Sequence, residues 1–188
     1  WLAAVGGEAG GNHTQNSLRA WLRKHPNRRS FTVLRHPLRR AWVAFTHLLG
    51  GAPAALRQQL RDMNRVALPP DEALFALGPD EQARIFAEFL DFLRRSLNGQ
   101  VSLPVLPIWA SQTEVLSGFS RFLLPDMVLR EDTLERDLGW LATAVGQPPA
   151  QLPEPEPMPD FLNDRELQQA ARAAYQRDYV HFGFPNRP

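Results

Sequence analysis

The stretch FTVLRHPLRRAWVAFTHLL, residues 31–49, constrains the fold more than any other part of this chain. Phe31-Thr32-Val33-Leu34 is uncharged and β-prone, which predicts a short buried strand. Pro37 suits a first helical position, where a missing N–H costs nothing, and apolar residues then recur at helical spacing through Leu49. A strand that runs straight into a helix start leaves first-turn N–H groups unpaired at the positive end of the helix dipole. Arg35, Arg39 and Arg40 cluster around that start. Guanidinium groups placed there repel a cation and favour a phosphate or sulfate, so the junction is predicted to hold an anion.

Charge distribution points the same way. The formal net charge is only +1, yet no acidic residue occurs between Glu8 and Asp62. Ten of the 21 basic residues fall in that interval: Arg19, Arg23, Lys24, Arg28, Arg29, Arg35, Arg39, Arg40, Arg57 and Arg61. The N-terminal third is therefore electropositive and suited to an anionic ligand, while the remainder is acidic. Nucleic acid is a poor fit, because the total charge is near neutral and no helix-turn-helix, zinc or aromatic-platform signature is present. Cysteine is absent, which excludes disulfides and thiolate metal sites and favours a reducing, cytoplasmic setting. No run is long and apolar enough to predict a membrane span.

Along the chain, Thr14–Lys24 is predicted as an amphipathic helix through Leu18, Trp21 and Leu22. Residues 54–66 are predicted to continue the helical run with Leu56, Leu60 and Met63 on one face. Pro79-Asp80 opens the clearest helix, in which Ile85, Phe86, Phe89, Leu90, Phe92, Leu93 and Leu97 form a core stripe ended by Asn98-Gly99. VSLPVLPIW, residues 101–109, carries two prolines and is predicted as an edge strand or extended segment. Ser111-Gln112 opens a short helix, residues 126–130 read as a second buried strand, and Thr133–Val145 as another helix. Residues 147–160 hold six prolines and read as a linker to a final helix over 163–180, with Asn163-Asp164-Arg165-Glu166 at capping-box spacing. The length suits a single domain, residues 1–188.

Three of these patches resemble, in order, the sulfotransferases that use 3′-phosphoadenosine 5′-phosphosulfate, especially the nodulation-type and other carbohydrate sulfotransferases. The family's 3′-phosphate motif is a strand ending in Arg, then Asp-Pro, and about one helical turn further an Arg followed by Ser and an aromatic residue, which Arg35, Pro37, Arg40, Ala44 and Phe45 resemble in place. Val128-Leu129-Arg130-Glu131-Asp132-Thr133-Leu134 is similar to its second strand-to-helix segment. Tyr175, Asp178, Tyr179, Phe182 and Gly183 resemble its closing signature. The chain departs from the pattern at Val43, where the family has serine, and at His36, where it has aspartate. It also contains no Pro-Lys-x-Gly-Thr phosphosulfate loop, its only lysine being Lys24.

The resemblance implies an α/β, P-loop-like sulfotransferase fold, helix-rich, with a small mostly parallel sheet lacking its N-terminal strand and loop. It implies an enzyme that moves a sulfuryl group from this nucleotide to a carbohydrate or other hydroxyl acceptor, without a metal. Arg35, Arg39, Arg40, His36 and Arg187 are the expected donor-binding residues. His13 is the expected base, since Gly11-Asn12-His13 precedes Arg35 much as a Gly-His pair does in uronic-acid O-sulfotransferases, with Glu131 and Asp132 as second candidates. The alternative, motivated by Val43 and the absent loop, is a non-catalytic relative that binds nucleotide or anionic glycan.

Overall fold

The structure, a computed structural model, describes residues 14–69, 76–121, 123–148, 151–152 and 157–187. The described chain is helix-rich, with eight α-helices and one two-stranded parallel sheet. It divides into two compact units, Trp1–Arg35 with Ser117–Glu156, and His36–Leu116 with Pro157–Pro188.

The first unit carries α1 (Gln15–Lys24), β1 (Phe31–Leu34), β2 (Met127–Arg130) and α6 (Leu134–Ala144). Thr14 caps α1, its hydroxyl oxygen accepting from the Ser17 N–H at 3.2 Å. β1 and β2 pair in parallel, Phe31 opposite Met127 and Leu34 opposite Arg130. The entry to the pair is clasped by side chains. The Asp126 carboxylate accepts from the Ser30 N–H at 2.7 Å and from its hydroxyl at 2.8 Å, and the same hydroxyl accepts from the Asp126 N–H at 3.2 Å. A 3₁₀ turn, Glu131–Thr133, leads from β2 into α6. The buried residues here are few: a cluster of Leu129, Leu138 and Leu141, with Phe31, Met127, Leu134 and Leu152 packed partly against it, and Leu34 and Ala142. Leu152 ties the described part of the proline-rich segment to that cluster.

The second unit is built on α2 (Pro37–Gly51), α4 (Pro79–Leu97) and α7 (Arg165–Ala174), all three packed on one another. α3 (Ala54–Asn64) and α8 (Gln176–Phe182) complete it, and α5 (Gln112–Ser120) starts within it. The α4 stripe is core as its periodicity requires: Ile85, Phe86, Phe89, Leu90, Phe92 and Leu93 are buried. Trp42, Phe45, Phe86, Phe89, Phe92 and Trp109 form a continuous train of rings with centroid spacings of 5.2–5.9 Å. Both tryptophans are thus core residues, and Trp109 has no exposed face on which a base could stack.

Three local expectations change. Of the two readings of residues 101–109, the strand is absent: residues 101–103 bend, and 107–109 turn where the Leu106 carbonyl accepts from the N–H groups of Trp109 and Ala110, at 3.1 and 2.9 Å. Prolines at 104 and 107 withhold the donors a ladder would need. On α3 the buried face holds Leu60 and Asn64 while Met63 is 66% exposed. The final helix is two helices, because Tyr175 adopts φ −109°, ψ 34° and interrupts it, and its cap is Asp164, which accepts from the Glu166 and Leu167 N–H groups at 2.7 and 3.2 Å.

Candidate anion site

At the start of α2 the helix cap is His36, with Pro37 at the first helical position. Its Nδ1 accepts from the Leu38 N–H at 3.3 Å and its Nε2 lies 2.9 Å from the Pro185 carbonyl oxygen. One ring nitrogen must accept and the other donate, which fixes a neutral imidazole. The ring is buried, edge-on to Tyr179 and Phe184 at 5.5 and 5.6 Å. His36 thus pins the tail to the helix start and takes up one first-turn N–H.

The arginines of this stretch have different partners. In the first unit, Arg35 Nε pairs with Glu131 Oε1 at 2.9 Å. In the second, Arg40 donates to the carbonyl oxygens of Ala110 and, at 2.9 Å, Pro107. Arg40 therefore holds the turn that buries Trp109. Arg39 is half-buried and among the described residues has no carboxylate partner, while its Nε is shielded from solvent without any hydrogen bond. A shielded N–H without an acceptor is costly, and an oxyanion would satisfy it. Of the two arginines in the first turn of α2, Arg40 is engaged by carbonyls and Arg39 is the one whose Nε has no hydrogen bond. Val43 follows it by one helical turn and is half-buried. The hydroxyl nearest in sequence on α2, Thr46, donates to the Val43 carbonyl oxygen at 3.0 Å.

Glu131 and Asp132 lie in the 3₁₀ turn of the first unit. The Arg130 guanidinium, 3.0 Å from Asp132, holds that carboxyl below its usual range, which makes it a weak base. Glu131 Oε1 takes Arg35, while Oε2 is shielded and has no donor. His13 lies outside the described residues. Among the described residues no three His, Asp or Glu side chains converge on a metal-binding position.

The closing signature has a structural explanation that sequence reasoning did not supply. Asp178 is fully buried and accepts from the Ser111 hydroxyl at 2.6 Å and the N–H groups of Gln112 and Thr113, both at 2.9 Å. It thereby caps α5 across 66 residues of sequence. Tyr175 donates to the Trp109 carbonyl oxygen at 2.9 Å, so Tyr175, Asp178 and Arg40 all hold residues 107–113. Burial raises the hydroxyl pKa of both Tyr175 and Tyr179, so neither serves as a base near neutrality. Gly183 ends α8 at φ 61°, a left-handed conformation that disfavours a Cβ.

Arg187 is exposed and, with Asn186, forms one wall of a cavity of about 360 Å³ on α7, whose other wall includes Arg165, Gln169 and Arg172. Arg165 and Arg172 were not singled out from sequence, although their seven-residue spacing would have put them on one helix face. Compared with protein-family models, curated proteins and solved structures, the chain matches none.

Proposed function

We propose that this chain is a sulfotransferase of the P-loop-like fold, which binds 3′-phosphoadenosine 5′-phosphosulfate and sulfates a carbohydrate-type hydroxyl. The ordered resemblance of three separate patches to that family suggests the reading. The observation that carries it structurally is Arg39, a guanidinium without a carboxylate partner in the first turn of α2, with a shielded N–H lacking an acceptor. In the reaction the acceptor oxygen forms a bond to sulfur as the bond from sulfur to the phosphate oxygen breaks. The hydroxyl proton passes to the base, His13 in this proposal, and 3′-phosphoadenosine 5′-phosphate departs. Negative charge grows on that leaving group, where arginines contribute most.

The second reading, a non-catalytic nucleotide or anionic-glycan binder, is favoured by Val43 and by the engagement of Arg40 with two carbonyls. Calorimetry with 3′-phosphoadenosine 5′-phosphate separates them. The expected result is binding that Arg39→Ala weakens about tenfold or more, the loss of one charge-assisted hydrogen bond. No binding to the unaltered chain would sink both nucleotide readings. Binding without sulfate transfer, measured with labelled donor and a panel of sugars, would leave the second. Transfer abolished by His13→Ala at unchanged nucleotide affinity would assign the base, and an unchanged rate would remove His13 from that role.

A further inference from the structure

The groove on α7 has walls of arginine and carboxamide side chains only. Arg165, Gln169 and Arg172 occupy positions i, i+4 and i+7, one face of the helix, while Leu167, Ala171 and Ala174 are buried on the side toward the core. Arg165 and Arg172 are about 10 Å apart along the axis, by the helical rise of about 1.5 Å per residue. The opposite wall, Asn186 and Arg187, is held in place. Arg172 donates to Asn186 Oδ1 at 2.5 Å, and His36 binds the preceding carbonyl, that of Pro185. Arg172 is further fixed over the Tyr179 ring, 5.6 Å from its centroid.

Three guanidinium groups thus face one cleft with no carboxylate among the lining residues. Among the described residues Arg165 and Arg187 have no ion-pair partner, and of the two acids flanking Arg165, Asp164 is turned to the N–H groups of its own helix while Glu166 makes no ion pair. A cleft of this size lies at the small end of ligand sites. No apolar or aromatic side chain lines it, so it lacks the face a nucleotide base stacks on. Gln169 and Asn186 instead offer carboxamides, which donate and accept and so match sugar hydroxyls.

We propose that this groove binds a sugar unit carrying an oxyanion, whether carboxylate, sulfate or phosphate, with Arg165, Arg172 and Arg187 on the anion and Gln169 and Asn186 on the hydroxyls. This assigns Arg187 to a sugar oxyanion instead of a nucleotide phosphate. The groove stands on its own geometry. Its place as a docking site for an anionic carbohydrate acceptor rests on the sulfotransferase reading.

The test is an NMR titration of the full chain with glucuronate, glucose 6-sulfate, glucose 6-phosphate, neutral glucose and inorganic sulfate. Signals of residues 163–172 and 186–187 are expected to shift with the oxyanion sugars and not with glucose. Inorganic sulfate should bind at least about tenfold more weakly than glucose 6-sulfate, and Arg165→Gln or Arg187→Gln should each weaken the sugar about tenfold. The ranking of the three oxyanion sugars identifies the anion. Absence of shifts at these residues, equal affinity for sulfate and sugar sulfate, or indifference to both substitutions would each overturn the proposal. In parallel, 3′-phosphoadenosine 5′-phosphate is titrated into the same variants. Nucleotide binding without sugar binding removes the groove alone, and sugar binding without nucleotide binding removes the donor reading alone. Loss of nucleotide affinity in Arg165→Gln would place the groove in the donor pocket and overturn the sugar assignment.

Discussion

The two units are held together by different physics. The second buries a train of large rings on α2 and α4, and its buried polar groups include a fully buried carboxylate with three donors. Among its described residues the first buries only four leucines, Leu34, Leu129, Leu138 and Leu141, with Ala142, and relies on two four-residue strands, the Ser30–Asp126 clasp, the half-buried pair Arg35–Glu131 and the exposed pair Arg130–Asp132. Burial of apolar area is insensitive to salt and pH, whereas exposed pairs contribute little and fade with both. The candidate anion ligand Arg39 and the groove therefore sit on the rigid unit. The strand that precedes α2 sits on the one expected to open more readily.

The sharpest way to break that contrast is to remove the centre of the ring train. Phe89 is fully buried against Phe45 and Phe92, so Phe89→Ala is expected to cost about 3–5 kcal/mol, read as a loss of denaturation midpoint. Asp178→Ala comes next, at about 3 kcal/mol, because it leaves a hydroxyl and two N–H groups without an acceptor in a dry site. Asp178→Asn, which keeps an acceptor oxygen, should cost visibly less. In the first unit Leu138→Ala is expected to cost about 2 kcal/mol, at the low end for a leucine, since its half-buried neighbours can collapse into the space. Hydrogen exchange should report the loss in β2 and α6. A cost for Leu138→Ala equal to that of Phe89→Ala would show that the smaller core is no weaker.

The legible parts of the sequence were those written in local periodicity. The α4 stripe, the start of α2 at Pro37 and the end of α4 before Gly99 follow from spacing and caps. α3 was misread by one residue. Asn64 turns inward to donate to the Gln59 carbonyl at 3.0 Å, Arg65 ends the helix in a left-handed conformation at φ 58°, and Met63 is left outside. No hydrophobicity pattern signals an inward asparagine. Pairings across long stretches of chain were equally unreadable: Ser30 with Asp126, Arg40 with Ala110, Asp178 with Gln112. This is why the roles of the three arginines could not be told apart from sequence. All three stand at a helix start, and only tertiary partners show that Arg40 is engaged by carbonyls while the Arg39 Nε has no hydrogen bond. The closing signature was visible as a pattern, but its work as a brace for residues 107–113 was not.

The smallest expected effect concerns the clasp at the mouth of the sheet. The Ser30 N–H first, and then its hydroxyl, hold the Asp126 carboxyl below its ordinary range; burial opposes them, and Arg29 and Arg28 add lesser lowering effects. A carboxyl whose pKa is lowered by folding stabilises the native state fully above the unfolded value, about 3.9, and loses that contribution as pH falls through the folded value. The first unit should therefore loosen on acidification below about pH 4, with β1 amides exchanging faster while α4 amides remain protected. Ser30→Ala removes the hydroxyl and keeps the N–H, so the Asp126 carboxyl should rise part of the way toward its ordinary value. Because the carboxylate is partly exposed, its loss should be felt as a shift of the acid limb rather than as unfolding at neutral pH. Carboxyl-carbon NMR titration of the unaltered chain and of Ser30→Ala measures it directly. An Asp126 titration that does not move, or β1 and α4 losing protection together at the same pH, would show that the clasp does not govern the strand pair and that the two units open as one.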